Sequence, residues 1–325
     1  MSPRVGKASP TSDRQSIRFL TWNLWAFDTD REARRHAITE TLRALHPDIC
    51  CLQEVRADLV EDFGEVLGDA LGLSVERTQP VETTWWHQRL DDASADVTNV
   101  ILTRWPRSDL WTLPLPFDAS GHERRTALLA RVEAPNGPLL TVCTQLTSAP
   151  QLSALRSQQV RAIAQAVVTR RQDDDLVVLG GDLNAEPDSD EVRLLCGHKT
   201  PPAADGLVLL DAWRFAPPDE PGWTWSRRNR YVAVTGEPDS RIDYILVGAA
   251  PSGRLPVVTS IKVAGDHSHE GSQASDHFAV VADLEVQTWS SRAPWWNRSF
   301  RSGSPRRSPR WHQAVGLAVT RVAPL

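Results

Sequence analysis

Short apolar runs that begin or end at a polar residue recur along this chain, and they constrain the fold more than any other feature. The runs at 17–22 (IRFLTW), 49–52 (ICCL), 176–179 (LVVL), 242–247 (IDYILV) and 278–284 (FAVVADL) read as buried strands. Further strand-like segments lie near 97–103, 126–132 and 139–144. Pro135-Asn136-Gly137-Pro138 separates the last two and predicts a hairpin. Between the strands the period changes. A capping-box pattern, Thr29 to Glu32, opens a helix with an Ile38, Leu42, Leu45 stripe, and Pro47 stops it. Helices are also expected at about 58–71 and at 151–170, the latter with Leu152, Leu155, Val160, Ile163 and Val167 on one side. Helices interleaved with parallel-type and hairpin-type strands predict a mixed sheet architecture covered by helices.

The length of 325 residues fits one α/β domain with tails, and 41% hydrophobic residues suffice for a core. No apolar run is long enough to span a bilayer, and residues 1–16 are polar, so the expected location is cytoplasmic. Cys50, Cys51, Cys143 and Cys196 fit neither a disulfide framework nor a zinc cluster, and are read as buried reduced thiols. Charge is uneven. Residues 286–325 hold seven Arg and no acid, and residues 1–18 carry +3; with −5 overall, residues 19–285 carry −15. An acidic body argues against broad contact with a phosphate backbone. The expected organisation is a disordered segment 1–16, a folded domain 17–285 and a disordered basic Arg/Ser/Pro/Trp-rich tail 286–325. The four Trp of the tail could stack on nucleic acid or sit at a membrane surface.

The polar residues flanking the runs carry the chemistry. Asn23 follows one strand, Glu54 another, and Asp182 and Asn184 a third; Asp243 opens a strand, and Asp276-His277 precede one. Strands running in opposite directions bring these starts and ends to one sheet edge. Four carboxylates, two carboxamides and one imidazole make an oxygen-rich site that suits Mg²⁺ or Mn²⁺. G-x-S-x-G, Walker, G-x-G-x-x-G and H-E-x-x-H patterns are absent. Each residue alone has a plain structural reading, as a turn cap, a solvated charge or a surface ion pair. Their joint order is the signal.

That order, TWNLW at 21–25, LQEV at 52–55, NVILTRWP at 99–106, GGDLNAEP at 180–187, GWTW at 222–225, RIDYILV at 241–247 and SDHFAV at 275–280, resembles the endonuclease/exonuclease/phosphatase superfamily over residues 17–285. The resemblance implies a four-layer α/β/β/α sandwich with two mixed, mostly antiparallel sheets, and Mg²⁺-dependent hydrolysis of a phosphoester. It assigns Glu54 as the main metal ligand, helped by Asn23 and Asp276. Asp243 would orient His277, Asp182 would position the attacking water, and Asn184 would donate to the phosphoryl oxygens. Asn99 and Arg125 would line the cleft.

One departure stands out: Thr144-Gln145-Leu146 replaces a Thr-His-Leu segment common in the family. Gln145 can hydrogen-bond a phosphate oxygen but cannot supply a proton, a contribution typically worth about 10²–10⁴-fold. His87 and His122 are nearby substitutes in sequence. The alternative reading is a catalytically impaired member that binds a phosphorylated ligand or nucleic acid. The substrate could be nucleic acid, a phospholipid headgroup or a soluble phosphoester. No stable protein partner is evident, and a monomer is expected.

Overall fold

A computed structural model describes residues 16–79, 84–118 and 123–288. Among these residues two six-stranded mixed sheets form. The first contains β1 (Ile17–Asn23), β2 (Ile49–Ala57), β3 (Ser74–Arg77), β4 (Asp96–Thr103), β11 (Arg254–Ala264) and β12 (Ala279–Thr288), in the order β11-β12-β1-β2-β4-β3. The second contains β5 (Arg107–Pro114), β6 (Thr126–Val132), β7 (Leu139–Gln145), β8 (Leu176–Asp182), β9 (Leu210–Asp211) and β10 (Asp243–Gly248), in the order β5-β6-β7-β8-β10-β9. Five helices accompany them: α1 (Arg31–Leu45), α2 (Phe63–Leu71), α3 (Thr84–Leu90), α4 (Ser153–Arg170) and α5 (Asp190–Cys196). This is the expected α/β sandwich.

Strand alternation builds three apolar layers. Phe19 and Cys51 face Leu128, Cys143 and Val178 between the sheets. Leu20, Trp22 and Leu52 face outward onto Ile38 and Leu42 of α1 and Leu67 of α2. On the other side Val142 and Leu179 pack against Val160, Ile163 and Val167 of α4. With both faces covered, these strands read as continuous apolar runs. The sheets are in close contact at Gly180, where a Cβ would lie 2.8 Å from Phe19 and 2.9 Å from the Cβ of Cys51. A side chain there would cost about 1–3 kcal/mol of overpacking.

Topology gathers the site. β1 and β2 are parallel, as are β7 and β8, so each pair ends at the same edge. The register sets Gln145 opposite Asp182, and Asp182 opposite Asp243 at the start of antiparallel β10. β12 runs antiparallel to β1, which places the residues just before it beside Asn23.

Several expectations need correction. Thr29 does not cap α1. The N-cap is Asp30, in a left-handed conformation rather than the extended one from which a side chain caps; it makes no side-chain cap bond, and its carboxylate pairs with Arg230 and the Tyr231 hydroxyl. The second helix starts at Phe63, where Asp62 accepts from the amides of Gly64 and Glu65. β12 continues to Thr288, three residues past the expected boundary, because it pairs with β11, a strand that was not anticipated. All four cysteines are buried and free. The expected disorder of the tail and most of the N-terminal segment lies outside the described residues, as does His122.

Candidate active site

Asn23 ends β1 and is buried. Its Oδ1 accepts from the Trp25 amide at 3.0 Å, and its Nδ2 donates to Asp182 Oδ2 at 3.0 Å and reaches Glu54 Oε1 at 3.4 Å. Glu54 reaches that point through a defect. An unbroken strand would send it to the helix-covered face, after Leu52. Instead β2 carries an extra residue between Leu52 and Val55 relative to β4, and Glu54 has φ of 53°. The bulge re-aims its carboxylate to the edge, where Gln145 Nε2 from the other sheet donates at 2.7 Å. Asn184 (φ 46°) and Trp25 (φ 56°) are left-handed too. Such non-glycine conformations cost on the order of 1–3 kcal/mol each and cluster at functional sites.

Asp182 is the hub. Its Oδ2 accepts from Asn23, from Gln145 at 3.2 Å and from Asn184 Nδ2 at 3.3 Å, while Oδ1 accepts the Asn184 amide at 2.9 Å. Burial, then the neighbouring Asp243, pushes its pKa up. Asp243 is fully buried; its Oδ2 lies 2.9 Å from His277 Nδ1, and its Oδ1 is buried with no partner. Burial works against charge on His277, but Asp243, followed by Asp182 and Asp276, outweighs it and holds the imidazole pKa well above its usual value. Asp276 rises to about 7, through burial first and through Glu54 among its neighbours.

These seven residues, with Gln145, therefore meet at one edge. Arg125 donates from one nitrogen to Gln145 Oε1 and from another to Glu123. Asn99 and Arg125 line a small hollow with Glu54, Gln145 and Trp86; His87 does not border it. Both amide hydrogens of Gln145 are engaged inside the cluster, as are those of Asn184, which donates to Leu146 O and Asp182. Asn184 can serve a phosphoryl oxygen only by releasing one of these bonds.

Some supporting residues were not foreseen. Ser275 Oγ donates to Asn23 O at 2.7 Å and accepts the His277 amide at 3.2 Å. Asn229, fully buried, donates to the carbonyls of Ser275 and Asp276. Arg34 of α1 donates to the carbonyls of Leu24, Trp25, Phe27 and Ala274, tying the loop after β1 to the segment before His277. Backbone carbonyls leave no pattern in sequence, so no signal pointed to Arg34. Asn229 stands after the quoted GWTW motif, where a buried Asn could have been suspected.

The donor chemistry fits a hard divalent cation. Ligand atoms of Asp182, Asp243 and His277 lie within 4.8 Å of one another; Asn23 adjoins Asp182, and Glu54 adjoins Asn23. Two carboxyl groups whose charge is disfavoured, and an orphaned carboxylate oxygen, are what a cation would relieve.

Comparison with known proteins bears on the fold. A C. elegans protein of uncharacterised function is 23% identical, over 84% of this chain and 92% of its own length. D. rerio TDP2, complexed with a single-strand DNA product, superposes with TM-score 0.65 at 19% identity, covering 83% of this chain and 98% of that one. The human nocturnin catalytic domain, with a bound sulfate, gives TM-score 0.64 at 20% identity over 84% and 96%. These likenesses show the fold. The model of the endonuclease/exonuclease/phosphatase family matches residues 20–277, most of the chain, and the chain belongs to that family.

Proposed function

We propose that this chain hydrolyses a phosphoester with the help of Mg²⁺ or Mn²⁺. The observation that carries the reading is the buried Asp243–His277 pair set beside Asp182 at an edge crowded with carboxylates. Glu54, Asn23 and Asp276 would hold the cation. Once bound, it would polarise a phosphoryl oxygen and offset the charge of the cluster.

The chain's own groups divide the remaining work. Asp243 fixes the tautomer of His277 by binding Nδ1, which leaves Nε2 as the nitrogen able to exchange a proton or steady a developing negative charge. Asp182 is the base-side acceptor that would position the attacking water. Arg125, held against Gln145, supplies cationic N–H groups at the rim where a phosphate oxygen would dock. Gln145 also favours a second reading, an impaired member that binds a phosphorylated ligand without turning it over.

A phosphoesterase panel decides between the two. Nucleic acids, sphingomyelin and bis-p-nitrophenyl phosphate are incubated with Mg²⁺, Mn²⁺ or chelator. Metal-dependent release of product from any class supports hydrolysis. Binding without turnover of every class contradicts it and leaves the second reading.

A further inference from the structure

We infer that His36, His269 and Glu270 form a second cation site, for Zn²⁺ or a similar transition metal, on the outer face of α1. One ligand atom from each of these residues lies within 4.8 Å of the others. The two rings meet edge to face with centroids 5.1 Å apart. Two imidazoles and a carboxylate are a borderline donor set that suits zinc, copper or nickel; the oxygen-rich cluster at the sheet edge suits Mg²⁺.

The site stands on rigid pieces. His36 projects from the second turn of a fifteen-residue helix. His269 and Glu270 belong to a tight turn in which the His269 amide donates to Ser272 O and the Ser272 amide donates to His269 O, both at 2.9 Å. Glu270 and Gly271 between them have φ of 49° and 81°, the left-handed pair that such two-residue turns require. The Nδ1 of His269 is shielded from solvent and has no hydrogen-bond partner. A buried, unsatisfied ring nitrogen costs free energy, and a cation bound through that nitrogen would remove the cost.

Around a tetrahedral Zn²⁺ the ligand atoms would stand ~3.3 Å apart, so the three groups would draw together by at most about 1.5 Å. The exposed His36 side chain has the freedom to do so. Three protein ligands leave a position for water. The turn leads through Gln273 and Ala274 to Asp276 and His277, and Arg34 already ties Ala274 to the same helix. A cation here would fasten α1 to that segment a second time. The inference does not depend on the hydrolytic reading.

Zn²⁺ binding by the full chain is measured by calorimetry in excess Mg²⁺, added to compete for the edge cluster, with thermal unfolding in parallel. The wild-type chain should bind one Zn²⁺ that raises its unfolding temperature. His36→Ala removes an exposed side chain; it should fold normally and lose that Zn²⁺ and its stabilisation. Glu270→Gln should weaken binding at least tenfold. Failure of the wild type to bind Zn²⁺ under these conditions, or unchanged binding by His36→Ala, overturns the inference.

Discussion

Nδ1 of His277 lies 2.9 Å from Oδ2 of Asp243, and the second oxygen of that carboxylate is buried without a partner. A carboxylate so placed fixes the imidazole's tautomer and favours its charged form. Asp243→Asn keeps the shape and loses both effects. Turnover should fall about 10²-fold or more, while the unfolding temperature stays near that of the wild type. Wild-type turnover across the pH range would show that the pair does not serve the reaction.

Asp276 gives the metal-free protein a pH dependence. Its pKa rises from 3.8 to about 7 on folding, chiefly through burial. The folded chain therefore holds this proton more tightly than the unfolded chain does. Its contribution to stability is present below about pH 4 and is lost as pH rises through about 7. In chelator, Asp276→Asn should gain stability relative to wild type on going from pH 5 to pH 8. A difference between the two proteins that does not change with pH would contradict this.

Gln145 sits between the two sheets' contributions, donating to Glu54 and Asp182 and accepting from Arg125. It has no proton to give a departing alkoxide. Aryl phosphoesters, which leave unprotonated, should be cleaved much faster than alkyl ones of matched binding. Gln145→His should raise only the alkyl rate, by up to about 10²-fold. Equal wild-type rates for both classes, with chemistry limiting, would mean that another group already acts as the acid.

β12 ends at Thr288, and we propose that the stable fold ends there. Truncation after Thr288 should leave cooperative unfolding with its midpoint little changed. Truncation after Glu285 removes Val286, which packs against the core between the sheets, along with the pairings to Arg254, Leu255 and Pro256. It should cost about 1 kcal/mol or more. Identical unfolding curves for the two truncated proteins would refute that boundary.

The strands that carry the site were legible because both their faces are covered, so sequence showed them as unbroken apolar runs ending in polar residues. Asn23, Asp182 and Asp243 are found where those ends meet. The strands that escaped are different. β5 and β11 are edge strands with many partly or fully exposed side chains, among them Arg107, Ser108 and Lys262, and their alternation is weak. The capping box failed because the helix starts one residue later than the pattern implies, with Asp30 at its N-cap in a left-handed conformation that gives no side-chain cap bond. The bulge at Glu54 and the left-handed Asn184 were illegible for another reason. Glu gives no signal of positive φ, Asn adopts it in ordinary turns too often to single out Asn184, and both residues are held in part by partners far away in sequence, Gln145 for Glu54 and Leu146 for Asn184.

The proposed cation would be held chiefly by Glu54 at this edge. The most direct test follows hydrolysis of bis-p-nitrophenyl phosphate by the wild type and Glu54→Ala, first in chelator and then over a Mg²⁺ titration. The wild type should be silent in chelator and recover with saturable Mg²⁺ dependence. Glu54→Ala should need far more Mg²⁺ and reach a lower plateau. Full hydrolysis by Glu54→Ala in chelator would contradict the account.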